Sequence, residues 1–370
     1  MRVLVTLLIT AALTFATAQD FVFGITFDAG GKFDGSFNEG TFRGLERAIA
    51  DLSAQKMLEI DLLEFEGTSD TAAQGMRQIA AEDAELIVSP GYQQADAIAA
   101  ASVEFPNTFF VLIDDVREGP NVRSVMFKEH EGSFLVGYIA GTLSQTGTVG
   151  FVGGMDIPLI RAFDSGYQQG VKYACPDCTI ISNYVGVTPT AWNDPARAKE
   201  LATAQQAQGA DIIYAAAGGS GNGVIDFVKE NMCFQGATRE TALTAALASV
   251  PTYPAYAAAC PAGSQPLFFI GVDSNQNPFG DTDGNPATLN HGLTSMLKRV
   301  DVAAYDAAFD VAMGTFTPGT MVLGLAEAGV GFSLDEYNAA LVPADLLTEL
   351  QVVTDIIVSG QLVVTDFRTQ

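Results

Sequence analysis

Two rhythms alternate along this chain. Short apolar runs recur, each closed by glycine or acidic residues, which is how strands buried in a parallel sheet read. Between them apolar residues return every three or four positions, as on one face of a helix. The first pair organises the rest. Residues 21–27, FVFGITF, read as a buried strand, followed by a turn carrying Asp28, Gly30, Gly31, Asp34, Gly35 and Ser36. Ser36 with Glu39 three positions on has capping-box spacing, and Phe42, Leu45, Ala48 and Ile49 form one stripe, so a helix is predicted over 36–55.

The alternation continues to residue 127, with strands predicted at 60–65, 85–89, 108–113 and 123–127 and helices at 70–82 and 93–105. It restarts after Glu129 with a helix over 132–143, whose Gly137 and Gly141 allow close packing. Strands follow at 148–152, 179–187, 211–217 and 267–272, with helices at 157–174, 193–208 and 222–230. The remainder is less regular: a strand at 293–297, a helix at 300–313, strands near 320–325 and a helix at 343–359. Such patterning predicts an α/β protein with two units, each a parallel sheet with helices on both faces and right-handed crossovers. Ligands of such sheets bind outside the carboxyl ends of the strands. There the first loop sets Asp28, Phe37 and Asn38: a carboxylate, an aromatic face and an amide. The stretch 89–92, SPGY, and the pair Asp114-Asp115 stand at other strand ends, and at most one of those adjacent acids faces a cleft.

The chain has 370 residues, enough for two domains, and a net charge of −25 with only 18 Lys and Arg. That balance argues against nucleic acid and anionic lipid surfaces as partners. Residues 1–18 read as a signal peptide: Arg2, an apolar stretch over 3–15, and Ala16-Thr17-Ala18 as the cleavage site. Gln19, not cysteine, follows it, so the expectation is an exported, periplasmic protein without a lipid anchor. Four cysteines in an exported chain predict disulfides, with Cys175–Cys178 and Cys233–Cys260 favoured among the three possible pairings. The second pair would close an alanine-rich insertion over 231–265. A redox role for Cys175-Pro-Asp-Cys178 is disfavoured, because the motif follows a helix instead of opening one.

Other motifs carry less. Residues 218–223, GGSGNG, follow a strand and precede a helix, but the spacing is not that of a dinucleotide loop. Asn222 replaces the second glycine that a nucleophile elbow around Ser220 would need. Asp273-x-Asn275-x-Asn277 and Asp281-x-Asp283-Gly284 resemble pieces of calcium loops without the glutamate at position twelve, and read as solvated turns. His130 and His291 lack ligand spacing to any cysteine, so no metal and no cofactor is expected.

Taken in order, several segments carry a resemblance over the whole expected mature chain: 28–40, DAGGKFDGSFNEG; 132–141, GSFLVGYIAG; 151–155, FVGGM; 163–170, FDSGYQQG; 192–200, WNDPARAKE; 217–221, AGGSG; 271–276, GVDSNQ; and 294–298, TSMLK. The sequence resembles the basic membrane protein family of exported substrate-binding proteins, which includes PnrA-like purine nucleoside receptors of ABC importers. The resemblance implies a type I periplasmic-binding fold, two Rossmann-like lobes joined by three crossovers near 127–131, 272–275 and 314–324. The expected lobes are 19–127 plus 274–318 and 128–273 plus 319–370. It further implies a monomeric binding protein, not an enzyme, that takes a nucleoside and docks on a membrane permease. Phe37 from one lobe and Trp192 or Phe163 from the other would sandwich the base. Asp28, Asn38 and Asp114 would meet its edge, and Asp273, Lys298 and the Gly219 backbone the ribose. This chain departs from the family in having Trp192 where some members carry phenylalanine, in lacking the lipidation cysteine, and in the cysteine-bracketed insertion. Riboflavin is an alternative flat ligand. A nucleoside hydrolase is the rival from another class; its tight aspartate cluster is missing here, because residues 29–33 separate Asp28 from Asp34.

Overall fold

The computed structural model describes residues 20–68 and 70–369, so the expected signal segment lies outside the described residues. In chain order the first elements are β1 (Asp20–Phe27), α1 (Phe37–Lys56), β2 (Glu59–Glu66), α2 (Ala72–Ala80), β3 (Leu86–Pro90), α3 (Ala95–Glu104), β4 (Phe109–Ile113) and β5 (Val122–Phe127). Next come α4 (Glu129–Leu143), β6 (Thr148–Met155), α5 (Pro158–Ala174), β7 (Thr179–Gly186), α6 (Pro195–Ala207), β8 (Ile212–Ala216) and α7 (Asn222–Asn231). The insertion holds β9 (Cys233–Phe234), α8 (Ala242–Leu247), α9 (Pro254–Ala259) and β10 (Gln265–Pro266). The chain then runs through β11 (Phe268–Asp273), β12 (Gly292–Lys298), α10 (Val300–Met313), β13 (Gly319–Leu323), β14 (Val330–Phe332) and α11 (Ala344–Val358).

Two six-stranded sheets result, ordered β2-β1-β3-β4-β5-β13 and β7-β6-β8-β11-β12-β14. Every pairing within them is parallel except β14 against β12. The apolar runs become central strands because both faces are covered: β3 and β8 are buried at every position. Phe23, Ile25, Val88 and Val111 meet Leu45 and Ala48 of α1 and Ala304 and Ala307 of α10. Ile87, Phe110 and Leu112 point the other way, onto Met76 of α2 and Ile98 of α3. In the second lobe α4 and α5 cover one face and α6 and α7 the other. Their close approach explains the glycines of α4 and α5: a Cβ on Gly137 would strike the Tyr167 carbonyl, and one on Gly170 the Phe134 carbonyl.

The lobe boundaries need correction. β12, within the 274–318 segment assigned to the first lobe, pairs with β11 in the second sheet. β13, assigned to the second lobe, pairs with β5 in the first. The chain therefore changes lobe at Lys128, at Arg299 and over 324–329. The first crossover is where it was expected; the polar stretch after β11 is merely the link between two parallel neighbours. The three crossovers run side by side, with Lys128 N–H donating to the Leu323 carbonyl at 3.0 Å and Arg299 N–H to that of Gly329 at 2.8 Å.

Both disulfides pair as expected: Cys175–Cys178 closes the α5–β7 turn, and Cys233–Cys260 brackets the insertion. Arg239 pins that insertion by donating to the Gly141 and Ser144 carbonyls at the end of α4. Tyr253 adds a bond to the buried His291 at 2.7 Å. No helix among the described residues is long and apolar enough to cross a membrane.

Candidate functional site

In each sheet the strand order reverses beside the first strand of the lobe, between β1 and β3 and between β6 and β8. Loops leave such a point in opposite directions and open a crevice at the carboxyl edge. The two crevices face one another and enclose a single cavity of about 530 Å³ of atom-free space, its mouth included. The first lobe lines it with Asp28, Phe37, Tyr92 and Asp114. The second contributes Ile160, Phe163, Trp192, Gly218, Asp273 and Lys298. Eight of the nine candidate residues thus meet in one place. Gly219 does not line the cavity; it packs against Gly30 and Asp34 across the lobe boundary, and Gly218 takes the lining position.

The first loop is built differently from the expected capping box. Ser36 makes no capping bond. Asp34 instead accepts from the backbone N–H groups of Ser36, Asn38 and Glu39 at 2.9–3.1 Å, neutralising the exposed donors at the start of α1. The freed Ser36 hydroxyl crosses to the second lobe, 3.0 Å from the Val272 carbonyl and 3.1 Å from Asp273. Asn38 is also committed: its amide N–H₂ donates to Asp28 at 2.7 Å and Asp34 at 3.1 Å, and its oxygen accepts from Asp28 N–H at 3.2 Å. It fixes Asp28 in place and has no donor left over. Burial raises Asp28 to about 6 against the bonds from Asn38 and Gly30, which lower it.

Asp114 and Asp273 occupy matching places, at the ends of β4 and β11, and both have left-handed backbone, φ 74° and 62°. Asp114 turns inward, while Asp115 stays outside with Arg117. Lys298 lies 2.6 Å from both Asp114 oxygens and 3.2 Å from Glu129, enclosed by the rings of Phe37, Phe127 and Phe163 at 5.0–5.6 Å. The ammonium expected on a ribose is therefore held by the protein's own acids. Burial alone would lower Lys298; Asp114, Glu129 and Asp273 outweigh it and hold it up. Burial raises Asp114 to about 6 despite Lys298, and Asp273 to about 7. One oxygen of Asp273 has no partner among the described residues.

Trp192 reaches the cavity from the turn before α6. Its indole rests where a Cβ on Gly154 would stand, and its buried N–H has no partner among the described residues. Ser220 holds that turn, donating to the Ala191 carbonyl at 2.8 Å and accepting from Asp194 N–H at 2.7 Å. The glycine motif thus serves the tryptophan loop. Leu159 and Ile160 complete the wall; as apolar residues opening a helix, they gave no chemical signal in the sequence. Of the two calcium-like fragments, 281–284 is consumed by its own turn, Asp281 and Asp283 accepting from backbone N–H groups two and three residues on, whereas 273–277 is no solvated turn, since Asp273 and Asn277 are buried. The lobes also touch beside the cavity, through Tyr92 Oη to Met155 Sδ at 3.3 Å and Gln276 Nε2 to the Gly35 carbonyl at 3.0 Å. The arrangement is a closed cleft.

Residues 22–361 match the family described as PnrA-like ABC transporter substrate-binding proteins. The chain belongs to this family. Among its relatives is a CD4+ T-cell-stimulating antigen of Listeria monocytogenes, 30% identical over 94% of this chain and 88% of the relative. Another is the ABC transporter nucleoside-binding protein BmpA of Lactococcus lactis, 28% identical over 87% of this chain and 84% of the relative. In fold the chain is similar to a solute-binding protein of Aeropyrum pernix, with a TM-score of 0.72 at 24% identity, covering 94% of this chain and 96% of that one. A solute-binding protein of Conexibacter woesei gives 0.66 at 23% identity, covering 94% and 99%. Type I periplasmic-binding architecture and membership among ABC substrate-binding proteins, which take small ligands and dock on a permease, follow from these matches.

Proposed function

We propose that this protein captures a nucleoside with a purine base between its lobes and delivers it, outside the cytoplasmic membrane, to an ABC permease. The observation that carries the reading is that Phe37 and Trp192, one aromatic ring from each lobe, line one cavity in which Asp28, Asp114 and Asp273 also face the interior. A ring on each face of a base adds about 1–3 kcal/mol and tolerates more than one base. Asp28 and Asp114 accept from ring N–H or exocyclic amino groups, and the unpaired oxygen of Asp273 accepts from a sugar hydroxyl. Among the described residues no arginine lines the cavity, which disfavours a phosphorylated ligand. The relative from Lactococcus, named a nucleoside-binding protein, points the same way. The cycle is closure on the ligand, docking and release on opening.

Calorimetry with adenosine, guanosine, inosine and riboflavin tests the reading, together with mass spectrometry of any ligand carried through purification. Binding of purine nucleosides, lost in Asp273→Ala, supports it. Binding of riboflavin alone, or release of free sugar from inosine, overturns it.

A further inference from the structure

A chain of buried charges leads away from the cavity. Behind Lys298 stands Glu129, the first residue of α4, fully buried, with its carboxylate 3.2 Å from Lys298 and 2.9 Å from Arg368. Arg368 belongs to the segment after α11. It also donates to the Phe127 carbonyl at 3.1 Å and pairs with Asp366 at 2.9 Å. His130, pushed down by burial, lies 3.6 Å from Asp366. Phe127, Glu129 and Lys298 flank the first two lobe crossovers. The Arg368 guanidinium therefore holds the first crossover directly and reaches the second through the Glu129–Lys298 pair.

We propose that Arg368 is a positioning residue of the ligand site, holding Glu129 so that Lys298 keeps both of its short bonds on Asp114. The ammonium is walled by three aromatic rings and stands against two carboxylates, those of Asp114 and Glu129. While Arg368 shares Glu129, Lys298 stays on Asp114 and leaves it an acceptor towards the cavity. Without Arg368, Lys298 becomes the nearest cation to a buried carboxylate and is drawn to it. Asp114 then faces Asp28, Asp273 and Glu129 with less of its partner and without the direct attraction of the Arg368 charge, and takes a proton more readily. A protonated Asp114 donates where the site needs an acceptor.

The test is Arg368→Gln beside Arg368→Lys, with ¹³C-labelled aspartate followed by NMR over pH 5–8.5 and the Asp114 signal assigned by its loss in Asp114→Asn. In the unaltered protein burial raises Asp114, and the expected midpoint is about 6; in Arg368→Gln the midpoint rises by about one pH unit, and Arg368→Lys restores most of it. An unchanged or lower midpoint overturns the proposal. A segment that merely braced the fold would lower the melting temperature and leave that midpoint in place. The second arm rests on the nucleoside reading: adenosine binding in Arg368→Gln weakens about fivefold at pH 6, about twofold at pH 7 and hardly at pH 8. An equal loss at every pH also overturns the proposal. If adenosine, guanosine and inosine do not bind the unaltered protein, the nucleoside reading fails and the NMR arm alone decides the role of Arg368.

Discussion

Asp273→Asn separates what the binding site does for the ligand from what it does to the fold. Asp273 is buried, with one oxygen bonded by Ser36 and the other without a partner. Burial holds its carboxyl at about 7 against an ordinary 3.8. At about 1.4 kcal/mol for each tenfold, keeping it ionised costs at most about 4 kcal/mol, and relaxation around a cleft brings this to about 2–4 kcal/mol. The sign follows from proton counting. Between pH 4 and 7 the folded chain binds more protons at this site than the unfolded one, so its stability falls as pH rises through about 7. Asparagine keeps the acceptor for Ser36 and removes the charge. Scanning calorimetry of ligand-free protein at pH 8 should show Asp273→Asn melting about 3–5 °C above the unaltered protein, a gap that shrinks to less than half at pH 5 and closes only below about pH 4. Titration at pH 8 should show nucleoside affinity down about 10- to 150-fold, the loss of a charged hydrogen bond. A melting point unchanged at pH 8, or raised equally at pH 5, would refute the argument that a desolvated charge stands ready for the ligand.

Three further outcomes follow from the packing. Trp192→Ala should lower nucleoside affinity by about 1–3 kcal/mol in calorimetry while far-ultraviolet dichroism stays unchanged, because Trp192 belongs to a turn before α6 and no helix or strand of the sheet loses a residue. Replacing Cys233 and Cys260 together by serine opens a loop with a sequence separation of 27 and should destabilise the protein by about 2–4 kcal/mol in urea titration, with ligand affinity intact. Asp34→Ala removes three acceptor bonds at the start of α1 and frees Asn38 from one of its acids. It should cost about 2 kcal/mol in the same titration, and affinity should fall as well, since Asn38 then holds Asp28 less firmly.

The legible parts of the site were those whose chemistry is local. Asp28, Phe37 and Asn38 could be placed at a strand end because the strand, turn and helix around them lie within one short stretch. Trp192 stood out as the one tryptophan, in a polar loop. The hydrogen-bond assignments were less legible. Ser36 and Asp34 are both sound caps by composition, and the choice between them turns on Asp273, which is 237 residues from Ser36. Lys298 reads as a free donor in the sequence; its partners Asp114 and Glu129 come from the end of β4 and the start of α4. Leu159 and Ile160 gave no signal, because an apolar residue facing a ligand and one facing a core look alike in sequence.

By itself the sequence determined most of the element types, the two α/β units and the parallel character of the sheets, and it favoured the disulfide pairing that forms, since these depend on periodicity, turn chemistry and cysteine spacing. Tertiary structure alone decided that β12 joins the second sheet and β13 the first, where the chain changes lobe, and which acid each cation holds. Pairing of strands and of buried charges is settled by which surfaces meet, and residues far apart in the chain meet only once both lobes have folded.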